Sequence, residues 1–136
     1  MIELKNVYKE YKSKNGIITK ALNNININFP NKGMIFILGK SGSGKSTLLN
    51  IIGCMDKVTS GEVFINDILI SNISESKLDN YRNSCFGFIF QEHNLIEKLT
   101  VYDNLKLSST LKRLKNKKDD YDKCLSLVSL DNLLVR

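Results

Sequence analysis

The chain has 136 residues, 42% of them hydrophobic, and carries 20 Lys and Arg against 14 Asp and Glu, a formal net charge of +6. That length and apolar content suffice for a core of its own, which sets aside a disordered tail. No apolar run approaches the roughly 20 residues of a membrane-spanning helix, and the opening Met1-Ile2-Glu3-Leu4-Lys5 lacks the pattern of a secretion signal.

Ile2 and Leu4 alternate with Glu3 and Lys5, which predicts a strand with one wet face. Tyr8 and Tyr11 follow, and Ser13-Lys14-Asn15-Gly16 is a turn by composition. Ile25, Ile27 and Phe29 alternate with Asn24, Asn26 and Asn28, a half-exposed strand of the kind an antiparallel layer uses. After Pro30-Asn31-Lys32-Gly33, the run Met34-Ile35-Phe36-Ile37-Leu38 does not alternate, and it predicts a parallel strand covered on both faces. The expected sheet is therefore mixed.

Next comes Gly39-Lys40-Ser41-Gly42-Ser43-Gly44-Lys45-Ser46-Thr47, which fits the phosphate-loop pattern G-x-x-x-x-G-K-[ST] without a mismatch. Chance gives such a match in roughly half a percent of chains this long. A Gly/Ser-rich linker would not explain an apolar strand before it and the apolar helix Leu48-Leu49-Asn50-Ile51-Ile52 after it. Glycines let the backbone curl close to a ligand, and the loop's amides and helix dipole then converge on one anion. Lys45 stands where its ammonium reaches the β- and γ-phosphates, and Ser46 where its hydroxyl ligates Mg²⁺.

Thr59-Ser60-Gly61 turns the chain, and Val63-Phe64-Ile65 and Ile68-Leu69-Ile70 flank Asn66-Asp67, a pair that tolerates positive φ and predicts a tight hairpin. A surface helix is expected from Ser74 to about Asn83, then a second buried strand, Cys85-Phe86-Gly87-Phe88-Ile89-Phe90. Its carboxyl end delivers Gln91-Glu92-His93-Asn94-Leu95, and strand carboxyl ends are where open α/β sheets bind ligands. Thr100-Val101-Tyr102-Asp103 has the form of a capping box. Leu107, Leu111 and Leu114 share one helical face, as do Tyr121, Cys124, Leu125 and Val128 on a further helix. The boundary between sheet and helical regions is placed near Gln91, giving 1–91 and 92–136. The run Lys112-Arg113-Leu114-Lys115-Asn116-Lys117-Lys118 reads as a solvated helix end and turn, with a nucleic-acid or lipid contact as the alternative. Cys54, Cys85 and Cys124 are odd in number, far apart and never in a C-x-x-C pair, so reduced core thiols of a cytosolic protein are expected.

Several of these stretches together resemble one family. Residues Gly39 to Asn50 resemble the Walker A segment of ABC-transporter ATPases, and Thr59-Ser60-Gly61-Glu62-Val63 the turn that follows it. Phe88-Ile89-Phe90-Gln91 with Asn94-Leu95 resembles the Q-loop, and Leu99-Thr100-Val101-Tyr102-Asp103-Asn104 the opening of the helical subdomain. The agreement runs in register from Ile2 to about Asp131. Asn50-Ile51-Ile52-Gly53, Met55-Asp56 and Tyr81-Arg82-Asn83 are similar to the subgroup serving lipoprotein release, macrolide or antimicrobial-peptide export and bacterial cell division, whose permeases are of the FtsX type.

The resemblance implies an α/β fold: a P-loop NTPase (RecA-like) core with a mixed sheet, an antiparallel N-terminal β layer and the start of an α-helical subdomain. It implies that Tyr11 stacks on adenine, with Tyr8 as the rival, and that Gly39, Lys40, Ser41, Gly42, Ser43, Gly44, Lys45, Ser46 and Thr47 hold the phosphates of ATP. Ser46 and Gln91 would take Mg²⁺, Lys45 and Gln91 would serve catalysis, and Gln91 would report the γ-phosphate to a membrane permease. A head-to-tail dimer with a second nucleotide domain and a place on the inner face of the cell membrane follow in the same way, without nucleic acid as a partner. His93 is not at the switch-histidine position, and a surface or permease-facing role is expected for it.

No L-S-G-G-Q signature, Walker B strand or switch histidine occurs, and Leu127-Val128-Ser129-Leu130-Asp131 is broken by Ser129. The chain stops at Arg136, where the signature would be about to begin, so an N-terminal fragment is expected, one that binds ATP with little or no turnover. A soluble ABC ATPase acting on ribosome or DNA, and a non-catalytic nucleotide-binding remnant, stay open as alternatives.

Overall fold

Two long strands, β1 (Ile2–Lys12) and β2 (Ile18–Phe29), pair antiparallel across the turn at Ser13 to Gly16. Gly16 closes that turn at φ 80°, its amide donating to the Ser13 carbonyl at 3.0 Å. The computed structural model describes residues 1–92, 94–112, 114–115 and 118–130, in two units, Met1–Phe86 and Gly87–Arg136.

In the first unit the strand order is β2-β1-β3-β4, with β3 at Ser60–Ile65 and β4 at Ile68–Leu69. Every pairing in it is antiparallel. Asn66 and Asp67 turn β3 into β4 with φ of 48° and 65°, the two positive values a type I′ turn requires. Bulges bend the β1–β2 hairpin where its register shifts, and Asn6 and Asn24 take up the left-handed conformations there, at φ 48° and 53°. The Asn26 carboxamide ties the two together, accepting from the Asn6 amide and donating to the Asn24 carbonyl.

Helix α1 (Lys45–Ile52) lies on this layer with Leu48 and Ile51 buried, and α2 (Glu75–Cys85) contributes Leu78. Leu4, Val7 and Val63 are fully buried at the centre of the core. Helix α1 ends in a Schellman turn: the Met55 amide donates to the Asn50 carbonyl and the Cys54 amide to that of Ile51. Cys54 itself occupies the left-handed position at φ 60°, buried, with Arg82 of α2 donating to its carbonyl. Arg82 also pairs with Glu75 and Asp79, and Lys57 with Glu75.

The expected parallel strands do not form. Residues 34–38 and 86–90 form no strand and pair in no ladder, Cys85 is the last residue of α2, and Phe36 and Leu38 are 74% and 87% exposed. A run of apolar residues shows that both faces favour cover, yet a ladder forms only where another strand lies alongside, and the four-stranded sheet is built without these segments. The cysteines differ from expectation too: Cys54 is buried, but Cys85 and Cys124 are exposed.

In the second unit, α3 (Val101–Leu111) starts at Thr100, whose hydroxyl oxygen accepts from the Asp103 amide at 3.1 Å. The Asn104 side chain gathers the preceding loop, donating to the carbonyls of Ile96, Leu99 and Thr100. Helix α4 (Lys118–Leu127) buries Tyr121 and Leu125 against Val101, Tyr102 and Leu105. The two tyrosine rings meet edge to face, and the Tyr121 hydroxyl is bonded to that of Ser109. The other faces expected to be apolar contacts, Leu107 with Leu111 and Leu114, and Cys124 with Val128, are exposed. Among the described residues no helix is long and apolar enough to cross a membrane.

Gly61, the second residue of β3, has φ 95°, and a Cβ there would stand 2.2 Å from the Asn6 carbonyl oxygen. Gly61→Ala is expected to cost about 1–3 kcal/mol, read as a lower urea midpoint at unchanged slope.

Candidate nucleotide-binding site

The site is assembled on α1 and the edge of the sheet. Gly44 caps α1 at φ 90°, with no side-chain cap to occupy the first-turn amides. Those amides have no intrahelical partners, and the helix dipole adds positive potential in front of them. Gly44 packs so closely on β2 that a Cβ would lie 2.4 Å from the Ala21 carbonyl oxygen. The cleft between loop and strand, about 200 Å³, is lined by Thr19, Lys20, Ala21 and residues 42–47.

Lys45 folds back over its own loop, its Nζ donating to the Gly39 carbonyl at 2.9 Å and the Lys40 carbonyl at 2.6 Å. These bonds close the loop into a ring and hold the ammonium where it can exchange carbonyl oxygens for phosphate oxygens. Ser46 and Thr47 line the cleft, and the Ser46 side chain is exposed. An exposed hydroxyl oxygen is a hard donor, which fits a magnesium ion.

Tyr11 stands opposite Thr19, one of the residues that line the cleft, in the β1–β2 register, and is 42% exposed. Its hydroxyl donates to Asp56 Oδ2 at 2.7 Å. Lys9 Nζ bonds Asp56 Oδ1 at 2.6 Å and lies 4.8 Å from the centre of the Tyr11 ring. Tyr8, the rival aromatic, is half-buried on the β3 side, opposite Ser60, and its carbonyl accepts from the Thr59 amide. Gln91 belongs to the second unit and is exposed just after the 86–90 segment; His93 lies outside the described residues.

Burial pushes the Asp56 carboxyl up, but hydrogen bonds from Lys9, Tyr11 and the Lys57 amide outweigh it and leave the group below the ordinary carboxylate value. Burial raises the Cys54 thiol, with Arg82 opposing in part.

Sequence reasoning missed Thr19, Lys20 and Ala21 as cleft residues, because β2 begins well before the alternating asparagines that mark it. It also gave Asp56 no role. No local signal could have done so, since its partner Tyr11 is 45 positions away.

A glycine loop capping a helix, its lysine folded over it and an open cleft before its amides define a phosphate-loop nucleotide-binding fold. Residues 22–136 match the ABC transporter family, and the chain belongs to that family. It is 49% identical over 107 residues to the ABC transporter ATP-binding protein MJ0796 of Methanocaldococcus jannaschii, covering 79% of this chain and 45% of that one. It is 38% identical over 133 residues to the lipoprotein-releasing system ATP-binding protein LolD of Blochmanniella floridana, covering 96% of this chain and 56% of that one. The solved dimeric structure of the MJ0796 cassette, bound to ADP and Pi after hydrolysis, superposes with a TM-score of 0.85 at 40% identity, over 99% of this chain and 60% of that one. The chain thus spans about half the length of these curated relatives.

The Asp56 carboxyl titrates lower in the folded chain than its unfolded value of about 3.9, so its stabilisation is complete above that pH and is lost as pH falls through the folded value. The wild-type urea midpoint is expected to drop more steeply below about pH 4 than that of Asp56→Asn.

Proposed function

We propose that this chain is the ATP-binding part of an ABC transporter ATPase whose whole protein couples ATP binding and hydrolysis to a membrane permease of the FtsX type, in export or in lipoprotein or peptide release. The observation that carries the reading is the phosphate loop as folded: free first-turn amides, Lys45 over the loop and a cleft in front of both. The relatives named for ABC transport and lipoprotein release support the class of machine.

In this reading Gly39 to Thr47 wrap the phosphates, their amides donating to phosphate oxygens and Lys45 neutralising the β- and γ-groups. Ser46 and Gln91 would hold Mg²⁺, which would supply positive charge to offset that of the phosphates. Tyr11 stacks on adenine. Gln91, at the junction of a nucleotide core of residues 1–91 and a helical part of residues 92–136, carries the state of the γ-phosphate to the permease. The whole protein pairs head to tail with a second nucleotide domain at the inner face of the membrane, and a dimeric relative holding ADP and Pi supports that arrangement.

Phosphoryl transfer depends on positioning and charge stabilisation around the attacking water. The 136 residues contain Lys45 and Gln91 but no signature motif and no Walker B acid pair, so the chain by itself binds MgATP and leaves it almost unhydrolysed. Calorimetry is expected to show MgATP binding that Lys45→Ala weakens by more than about tenfold, with phosphate release near background. A folded wild-type chain that binds no MgATP would overturn the reading, and rapid phosphate release would overturn the division of labour.

A further inference from the structure

We propose that Asp56 is a positioning residue for the nucleotide base: it fixes the hydroxyl end of Tyr11 and so sets which ring face the base can use. The proposal rests on the reading of Tyr11 as the base-stacking residue and deepens it.

Tyr11 is near the free end of a hairpin, 42% exposed. An aromatic side chain in such a place has several rotamers open to it, and stacking requires that one ring face be presented. Two contacts restrict it. Its hydroxyl donates to Asp56 Oδ2 at 2.7 Å, which anchors the tip of the ring. Lys9 Nζ occupies one face, 4.8 Å from the ring centre, which leaves the opposite face for a base. Lys9 is itself pinned by Asp56 Oδ1 at 2.6 Å and by the Lys57 carbonyl at 2.7 Å, and its side chain is only 12% exposed. Asp56 therefore holds both the ring and the cation that selects its face.

Asp56 is in turn held by α1. Its amide donates to the Asn50 carbonyl at 3.2 Å, within the turn that ends the helix, and its Oδ1 accepts from the Lys57 amide at 2.7 Å. The same helix begins at Lys45 with the phosphate loop at its head. One rigid element of about 12 Å thus sets the spacing between the phosphate grip at its N-terminus and, through Asp56, the base grip beyond its C-terminus. The carboxylate stays ionised at neutral pH, as the double acceptor role requires.

The test compares the affinity of the 136-residue chain for MgATP with that for magnesium tripolyphosphate, which has the phosphates and no base. Tyr11→Phe, which keeps the ring and removes only the hydroxyl, and Asp56→Ala are each expected to weaken MgATP about three- to tenfold. The double variant should lose no more than the weaker single, and tripolyphosphate affinity should stay within about twofold throughout. Tyr11→Ala should weaken MgATP at least as much as either. Equal losses for tripolyphosphate would mean that the contacts merely brace the phosphate loop, and would overturn the proposal. A loss for Tyr11→Ala with none for Tyr11→Phe or Asp56→Ala would overturn it while leaving base stacking by Tyr11 intact. Undiminished MgATP binding by Tyr11→Ala would refute the stacking reading itself, and the positioning role with it. Should Asp56→Ala not fold, Tyr11→Phe decides between these outcomes alone.

Discussion

The contact between Gly44 and the backbone of β2 is the constraint on which the site depends. Its α-carbon approaches β2 so closely that one added methyl would stand 2.4 Å from the Ala21 carbonyl oxygen, and its φ of 90° is one that side-chain-bearing residues rarely adopt. Steric room and backbone conformation therefore ask for the same residue at the same place. What they secure is direct apposition of a helix N-terminus to a sheet edge, so the first-turn amides of α1 and the Thr19-to-Ala21 edge face one cleft. A phosphate grip made of backbone amides needs such pre-set geometry, because amides placed before binding lose little entropy when the ligand arrives.

From that anchor α1 organises the unit in both directions. Leu48 and Ile51 bury its inner face on Leu4, Val7 and Val63. At its far end the Schellman turn through Cys54 brings Asp56 to Lys9 and Tyr11, and a chain of ion pairs continues through Lys57 and Glu75 to Arg82 of α2. The exposed pairs in that chain add little energy one by one, and Asp56 with Lys9 is its less exposed member. Hydrogen bonds from Arg82 and then Lys57 keep Glu75 ionised below its ordinary range, which favours the same registry of α2 on the end of α1.

What was legible in the sequence was local. The phosphate loop, the Asn66–Asp67 hairpin, the Ser13-to-Gly16 turn and the Thr100 cap are each decided by a few neighbouring residues, and each folds as those residues dictate. Apolar pattern was a weaker guide. Residues 34–38 and 86–90 announce an appetite for burial, but a sequence pattern does not name the strand that satisfies it. In α3 two apolar faces compete, and the one carrying Tyr102 packs, because Tyr121 offers it an edge-to-face contact and Ser109 takes the Tyr121 hydroxyl. Strand length was hidden for a different reason: bulges at Asn6 and Asn24 interrupt the alternation by which strands are recognised. The role of Asp56 was beyond any local pattern, since it exists only once β1 and the end of α1 lie together.

The most direct test of the account is amide-resolved NMR of Gly44→Ala beside the wild type, each titrated with MgATP. In the wild type the amide resonances of residues 42–47 should shift on binding. In the variant, resonances of β1 and β3 should stay at their wild-type positions, showing an intact layer, while the loop shifts disappear at the same nucleotide concentration. A Gly44→Ala chain that binds as the wild type does, or wild-type shifts that fall away from residues 42–47, would contradict the claim that this glycine's contact with β2 builds the nucleotide site.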